Sequence, residues 1–176
     1  MTQIIAAIVF FLPAGLANGT PPIAAKIPVL KKFNAPMDFN KSFRGKRIFG
    51  PNKTWRGFIT GVLVATIAAL LISKFVFKLD EGSDLSVNVL AGTLMGVGAL
   101  LGDAFESFLK RQFNKEPGKS WFPFDQIDYI VGGLLFVAPL AHLTLRQYVL
   151  VGIVWFGLHI AGSSFGYLIG VKDKAI

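Results

Sequence analysis

Five stretches of the chain are apolar for long enough to cross a bilayer, near 2–19, 57–79, 86–109, 127–144 and 147–171. A spanning helix needs about 20 mostly apolar residues, so the pattern predicts an all-α integral membrane protein, a bundle of five transmembrane helices. The fourth and fifth runs are close enough to form a tight helical hairpin. No soluble domain and no convincing internal repeat interrupts the series, and residues 1–176 read as a single transmembrane domain. Between the first two runs lies a polar loop at about 20–56, too long and too patterned to be a plain linker.

Acidic residues break the apolar pattern in one region. Five of the ten acids fall within residues 103–128, in "GDAFESFLKRQFNKEPGKSWFPFDQID", and four of them form two pairs spaced three apart. Asp103 pairs with Glu106, and Asp125 with Asp128. Residues three or four apart share a helix face. Asp103, Glu106, Ser107 and Lys110 therefore form one stripe, continued by Ala99, Gly96 and Gly92, whose small side chains leave room for a cavity. Asp125, Asp128, Tyr129 and Gly132 form the matching stripe on the next helix.

Carboxylates are rare and costly at membrane helices, and usually functional. Several meeting in a partly dry site repel one another unless some are protonated or a cation sits between them. Oxygen ligands without cysteine or a nearby histidine favour Mg²⁺, with Mn²⁺ as the alternative, over zinc. The competing reading is salt bridging to Lys110, Arg111, Lys115 and Lys119.

Charge orients the bundle. Nine Lys or Arg lie in 20–56, four in 110–126 and two after 171, against Lys74, Lys78 and Arg146 on the other side. The positive-inside rule then places the N-terminus outside and the C-terminus in the cytoplasm. Both acid pairs fall at cytoplasmic helix ends, and Lys74 and Lys78 snorkel at the outer end of the second helix. The first residues have no basic lead and read as a retained helix rather than a signal peptide. The net charge of +8 points to an anionic partner. The absence of cysteine excludes disulfide and thiolate chemistry. Six G-x-x-x-G spacings (15/19, 57/61, 92/96, 98/102, 162/166 and 166/170) fit close packing within one bundle, with a homodimer seam as the alternative use.

The polar loop ends "FRGKRIFGPNKTWRGF". Arg44, Lys46, Arg47, Lys53 and Arg56 crowd around Gly45, Gly50 and Gly57, with Thr54 at the start of the next helix as an N-cap or a phosphate contact. Glycines let a backbone approach phosphate closely, and Lys and Arg supply charged donors. A topology signal would need the charge but not the Gly, Pro, Asn, Thr and Trp among it. A basic cradle beside an acid cluster suits a triphosphate whose charge a metal and the loop share.

These residues carry a resemblance. "GPNKTWRGF" resembles the P-x-K-T-x-x-G element of the phosphatidate cytidylyltransferases, and "GDAFESFLKR" followed by "DQID" resembles their G-D-x-x-E-S-x-x-K-R core with its later D-x-x-D. The match is closer to the short archaeal branch, the CDP-archaeol synthases, through "LPAGLAN", "NAPMDF" and "GKRIFGPNKTWRG". It covers most of residues 12–133. The bacterial His-Gly-Gly segment is replaced by "WFPFDQID", which favours the archaeal branch.

The resemblance implies cytidylate transfer from CTP to an ether-lipid phosphate, 2,3-di-O-geranylgeranylglyceryl phosphate, at the cytoplasmic face of the cell membrane, with no nucleic-acid partner. Asp103, Asp125 and Asp128, with Glu106 as a weaker member, become the expected metal ligands. Lys46, Arg47, Asn52, Lys53, Thr54 and Arg56 become nucleotide contacts, and Lys53 joins the catalytic set. Lys110, Arg111 and Asn18 are expected at the lipid phosphate. His142 and His159 are expected far from the acids, and Asp38 either ties the loop to a basic neighbour or binds ligand. Two alternatives compete. A cation transporter would place its acids at the bilayer midplane. A CDP-alcohol phosphotransferase would need a D-G-x-x-A-R element, which the chain lacks.

Overall fold

The structure, a computed structural model, describes residues 3–76, 85 and 87–168. Its helices are α1 (Gln3–Ala24), α2 (Pro28–Lys31), α3 (Trp55–Leu71, extended by a wider π-type turn Ile72–Val76), α4 (Val89–Gln112), α5 (Phe124–Val137) and α6 (Leu145–Leu168). By length and composition, α1, Trp55–Phe75, α4 and α6 can each cross a membrane. The protein is a multi-pass membrane protein.

Local chemistry sets the helix starts. The Thr54 hydroxyl accepts from the Gly57 N–H (3.2 Å) and caps α3. The Asn88 side chain accepts from the Ala91 N–H (2.7 Å) and caps α4. Packing within the bundle uses the small residues. Gly57 abuts Pro21, Gly92 abuts Ala69, Gly96 abuts Ala65, and Gly98 and Gly102 meet the α5 backbone at Gly132 and Asp128. At these contacts a Cβ would strike a neighbouring helix, so α4 touches α5 almost backbone to backbone. Gly19 and Gly162 face open space, and Gly170 lies outside the described residues, as do Lys78 and the basic tail. The core is one large apolar cluster, with Phe10, Phe11, Met95, Val137 and Val151 fully enclosed, and a smaller one of Ala17, Ala65 and Leu100. Trp155 locks α6 to α1 through its indole N–H, which donates to the Ala7 carbonyl (3.1 Å).

The structure departs from the sequence expectations in four places. First, α5 has 14 residues, about 21 Å at 1.5 Å per residue, rather than the expected run 127–144. Pro139 has no N–H to continue the ladder, and a turn follows instead. Second, α1 runs through Pro21 and Pro22 to Ala24 rather than stopping near residue 19.

Third, the polar loop holds a hairpin that helical periodicity could not show. Strand β1 (Ser42–Phe43) pairs antiparallel with β2 (Lys46–Arg47). Both turn residues, Arg44 (φ 51°) and Gly45 (φ 75°), are left-handed, as a tight type I′ turn requires. Fourth, the stripe of Ala99, Gly96 and Gly92 leaves no cavity. The alanines of α3 fill that space, and the open volume lies beside the acids, toward the loops.

Candidate functional site

The acid stripe of α4 faces the start of α5 across a cavity of about 670 Å³. Asp103, Glu106, Ser107 and Lys110 line it from α4, and Asp125, Gln126 and Asp128 from α5. A second cavity of about 700 Å³ lies beneath the polar loop, lined by Arg47, Thr54 and Arg56 among others. The two cavities share a wall made of Asn18, Pro51, Asn52, Lys53 and Asp103.

Ion pairs organise this region. The Lys53 ammonium donates to Asp103 Oδ2 at 2.5 Å, within the shared wall. Lys110 pairs with Glu106 at 3.0 Å and also with Asp125, whose other oxygen accepts from the Trp121 N–H at 2.6 Å. Asp128 stands apart. It accepts from the Tyr129 N–H (2.6 Å) and lines the same cavity as Asp103. Among the described residues, no three Asp, Glu or His side chains are grouped as a metal-binding cage. The donor set fits a cation held by one or two carboxylates together with substrate phosphates, which is the usual habit of Mg²⁺.

Asp38 shapes the loop. Its side chain is wholly buried. The Arg47 guanidinium donates to both of its oxygens (2.7 and 3.1 Å), and the backbone N–H groups of Asn40, Phe49 and Gly50 donate at 3.0–3.1 Å. Gly50 has φ +95°, so only glycine presents that N–H without strain. Burial opposes ionisation of Asp38, but the Arg47 fork and the three N–H donors outweigh it and hold the pKa down to about 2.

A carboxyl with a lowered folded-state pKa stabilises above its unfolded pKa, 3.8 here, and loses that contribution as pH falls through about 2. Loop order should therefore be constant above about pH 4 and loosen below it. Asp38→Ala is expected to speed hydrogen exchange of the Phe49 and Gly50 amides at least about tenfold at pH 7, by removing their acceptor. Unchanged exchange would remove Asp38 as the organiser.

The structure brings most of the expected site residues together. Asn18, Asn52, Lys53, Asp103, Glu106, Lys110, Arg111, Asp125 and Asp128 line the first cavity, and Arg47, Thr54 and Arg56 line the second. Lys46 lines neither, because its ammonium donates to the Gln112 carbonyl at the α4 C-terminus (2.6 Å). Arg47 is shared between the cavity and Asp38. Arg56 donates weakly to the carbonyls of Leu30 and Lys31 (3.4 Å each). Lys110, expected at a lipid phosphate, is buried between two carboxylates.

One expectation is overturned. His159 is not far from the acids: it lines the first cavity with Ser163, its ring 5.5 Å from Tyr129. Sequence position placed it in mid-membrane but could not show which face of α6 meets α5. Gln126 was also missed. It is buried, its Oε1 has no hydrogen-bond partner, and it lines the same cavity. Its place inside the D-x-x-D spacing was the available signal.

Membrane-length helices around a cavity that sets lysine and arginine against carboxylates define an intramembrane protein built to hold a phosphate-bearing ligand. The CarS-like family, described as CDP-archaeol synthase, matches residues 1–175. The chain belongs to this family. It is 32% identical over 177 residues to the CDP-archaeol synthase of Methanococcus aeolicus, covering 97% of this chain and 95% of that protein. It is 38% identical over 150 residues to that of Methanoculleus marisnigri, covering 78% and 87%. A solved structure of an intramembrane enzyme for archaeal membrane lipids biosynthesis superposes with TM-score 0.75 at 28% identity, covering 90% of this chain and 93% of that one.

Proposed function

We propose that this protein is a CTP-dependent lipid-phosphate cytidylyltransferase, transferring cytidylate from CTP to 2,3-di-O-geranylgeranylglyceryl phosphate to give CDP-archaeol and pyrophosphate. The observation that carries the mechanism is the Lys53–Asp103 pair in the wall between the two polar cavities. An ammonium suited to phosphate and a carboxylate suited to a metal meet there, which supports the reading. Family membership supports the substrates. The basic loops and the acids lie at one end of the bundle, which supports a site facing the cytoplasm, with the N-terminus outside and α5 completing a fifth crossing.

The reaction needs little covalent help. An oxygen of the lipid phosphate attacks the α-phosphorus of CTP, one P–O bond forms, the bond to the bridging oxygen breaks, and pyrophosphate leaves. A phosphate monoester with second pKa near 6 is already largely ionised at neutral pH, so no general base is required. The protein's task is in-line positioning and charge neutralisation. Lys53, Arg47 and Arg56 supply charge to the triphosphate, while Asn52 and Thr54 shape the loop beside it. Arg111 and Asn18 face the same space and serve the acceptor phosphate or the nucleotide. Asp103 and Asp128 are the proposed ligands of a divalent cation, Mg²⁺ or Mn²⁺, which when bound neutralises phosphate charge. Asp125 and Glu106 hold Lys110 in the wall of the same cavity, where its ammonium adds positive charge beside the phosphates.

The test is purified protein with labelled CTP and a panel of ether- and ester-lipid phosphates, before and after chelation. Product should appear only with a lipid phosphate and a divalent cation. No nucleotide-dependent product with any acceptor would end this reading.

A further inference from the structure

Gln126 takes no part in the transfer chemistry, yet it is placed to meet a ligand. It is 4% exposed, lines the first cavity from α5, and its Oε1 meets no hydrogen-bond donor. A buried acceptor without a donor is costly, and folded proteins keep few of them.

Its surroundings differ from the rest of the cavity. Gln126 lies one turn before Tyr129, so the two share a face of α5. That face packs on α6: the Tyr129 ring is 5.5 Å from the His159 ring, and its hydroxyl donates to the Trp155 carbonyl (3.4 Å). Helix α6 adds His159 and Ser163 to the lining, but no lysine or arginine. The cations of the cavity, Lys53, Lys110, Arg111 and Lys119, come from the loops and from α4. Gln126 therefore marks a corner without lysine or arginine, in a cavity that is cationic elsewhere.

We propose that Gln126 reads the base of the nucleotide, its Oε1 accepting from the 4-amino group of cytosine. This rests on the function proposed above. Ionised phosphate oxygens are acceptors and cannot satisfy another acceptor. The lipid phosphate has its three glycerol oxygens in two ethers and one phosphate ester, and so brings no donor. Donors remain only on the nucleoside, in the 4-amino group and the ribose hydroxyls. The amino group matches better. It stands beside ring N3, an acceptor, and a carboxamide offers the complementary acceptor and donor, as glutamine does toward the amino group and ring nitrogen of adenine. A corner without lysine or arginine also suits the uncharged nucleoside, while the triphosphate extends toward Lys53 in the shared wall.

The contact is tested by a cycle between protein and ligand. The protein in nanodiscs is titrated at fixed Mg²⁺ with CTP and with the analogue that carries hydrogen in place of the 4-amino group. The unmodified protein should bind CTP about tenfold more tightly than the analogue, which leaves the acceptor empty. Gln126→Met keeps the length of the side chain and removes the amide, so it should bind both ligands about equally. In turnover, its KM for CTP should rise about tenfold, and its KM for the lipid phosphate should stay as in the unmodified protein.

Equal affinity of the unmodified protein for CTP and the analogue would overturn the proposal, whether or not the variant folds. A preference that survives in Gln126→Met would also overturn it. So would a variant that loses instead its preference for CTP over dCTP, which would move the contact to the ribose. A rise in the Mg²⁺ concentration needed for half-saturation would overturn it too, by making Oε1 a cation ligand. CTP binding with the expected preference, but no product with any acceptor, would end the cytidylyltransferase reading and leave the base contact in place. Product formed without that preference would do the reverse.

Discussion

Asp128→Asn is expected to lower kcat by at least about 100-fold while leaving the protein as stable as before, or more stable. Asp128 is nearly isosteric with asparagine, whose Oδ1 can still accept from the Tyr129 N–H. Among the described residues it shares none of the wall's ion pairs: Lys53 pairs with Asp103, and Lys110 with Glu106 and Asp125. The substitution therefore breaks no pair in the folded protein. A carboxyl that lines the cavity without such a partner is available to a cation that arrives with phosphate. Asp103→Asn should lose activity to a similar extent, also with little loss of stability, because its pair with Lys53 is partly exposed and screened by water. The measurements are kcat with saturating CTP and lipid phosphate, and Tm in the same detergent. Near-normal kcat in Asp128→Asn would remove it from the site, and a collapse of Tm would make its role structural.

Lys53→Ala should produce the other large effect, a fall in kcat/KM for CTP of about 10²–10³-fold. The reasoning starts from the ion pair. Lys53 and Asp103 are each partly exposed, with side-chain exposures of 20% and 26%, so water screens the pair and its loss should cost stability little. The ammonium lies in the wall of both cavities, where a triphosphate meets it whichever cavity holds the base. Lys53→Arg restores the charge but not the compact point donor, so partial recovery is expected. Full activity in Lys53→Ala would show that Arg47 and Arg56 suffice and that the lysine only neutralises Asp103.

Much of this was legible along the chain. Spanning helices show as apolar length, because the bilayer demands a fixed minimum and leaves backbone groups no partner except each other. The acids were legible because their cost in that setting makes them conspicuous, and helical spacing put each pair on one face. The capping role of Thr54 was legible for a similar reason: a cap is a local contact spanning three residues.

The rest depended on contacts far apart in sequence. Lys46 and Lys53 look alike within "GKRIFGPNKTW", yet one is spent on the Gln112 carbonyl and the other reaches Asp103. Lys110 was expected at the lipid phosphate, with salt bridging as the alternative, and is buried between Glu106 and Asp125. Asp38 was ambiguous until the Arg47 fork and the Gly50 N–H converged on it. His159 and Gln126 joined the cavity only once α6 and α5 were seen to pack. By itself the sequence determined that this is a membrane bundle with acids and a basic loop at one end, because those features follow from solvent, helix period and local spacing. Which charges neutralise one another, and which are left facing open space for a ligand, was decided only by the tertiary structure, because these contacts depend on distances of a few ångströms between residues 50 or more positions apart.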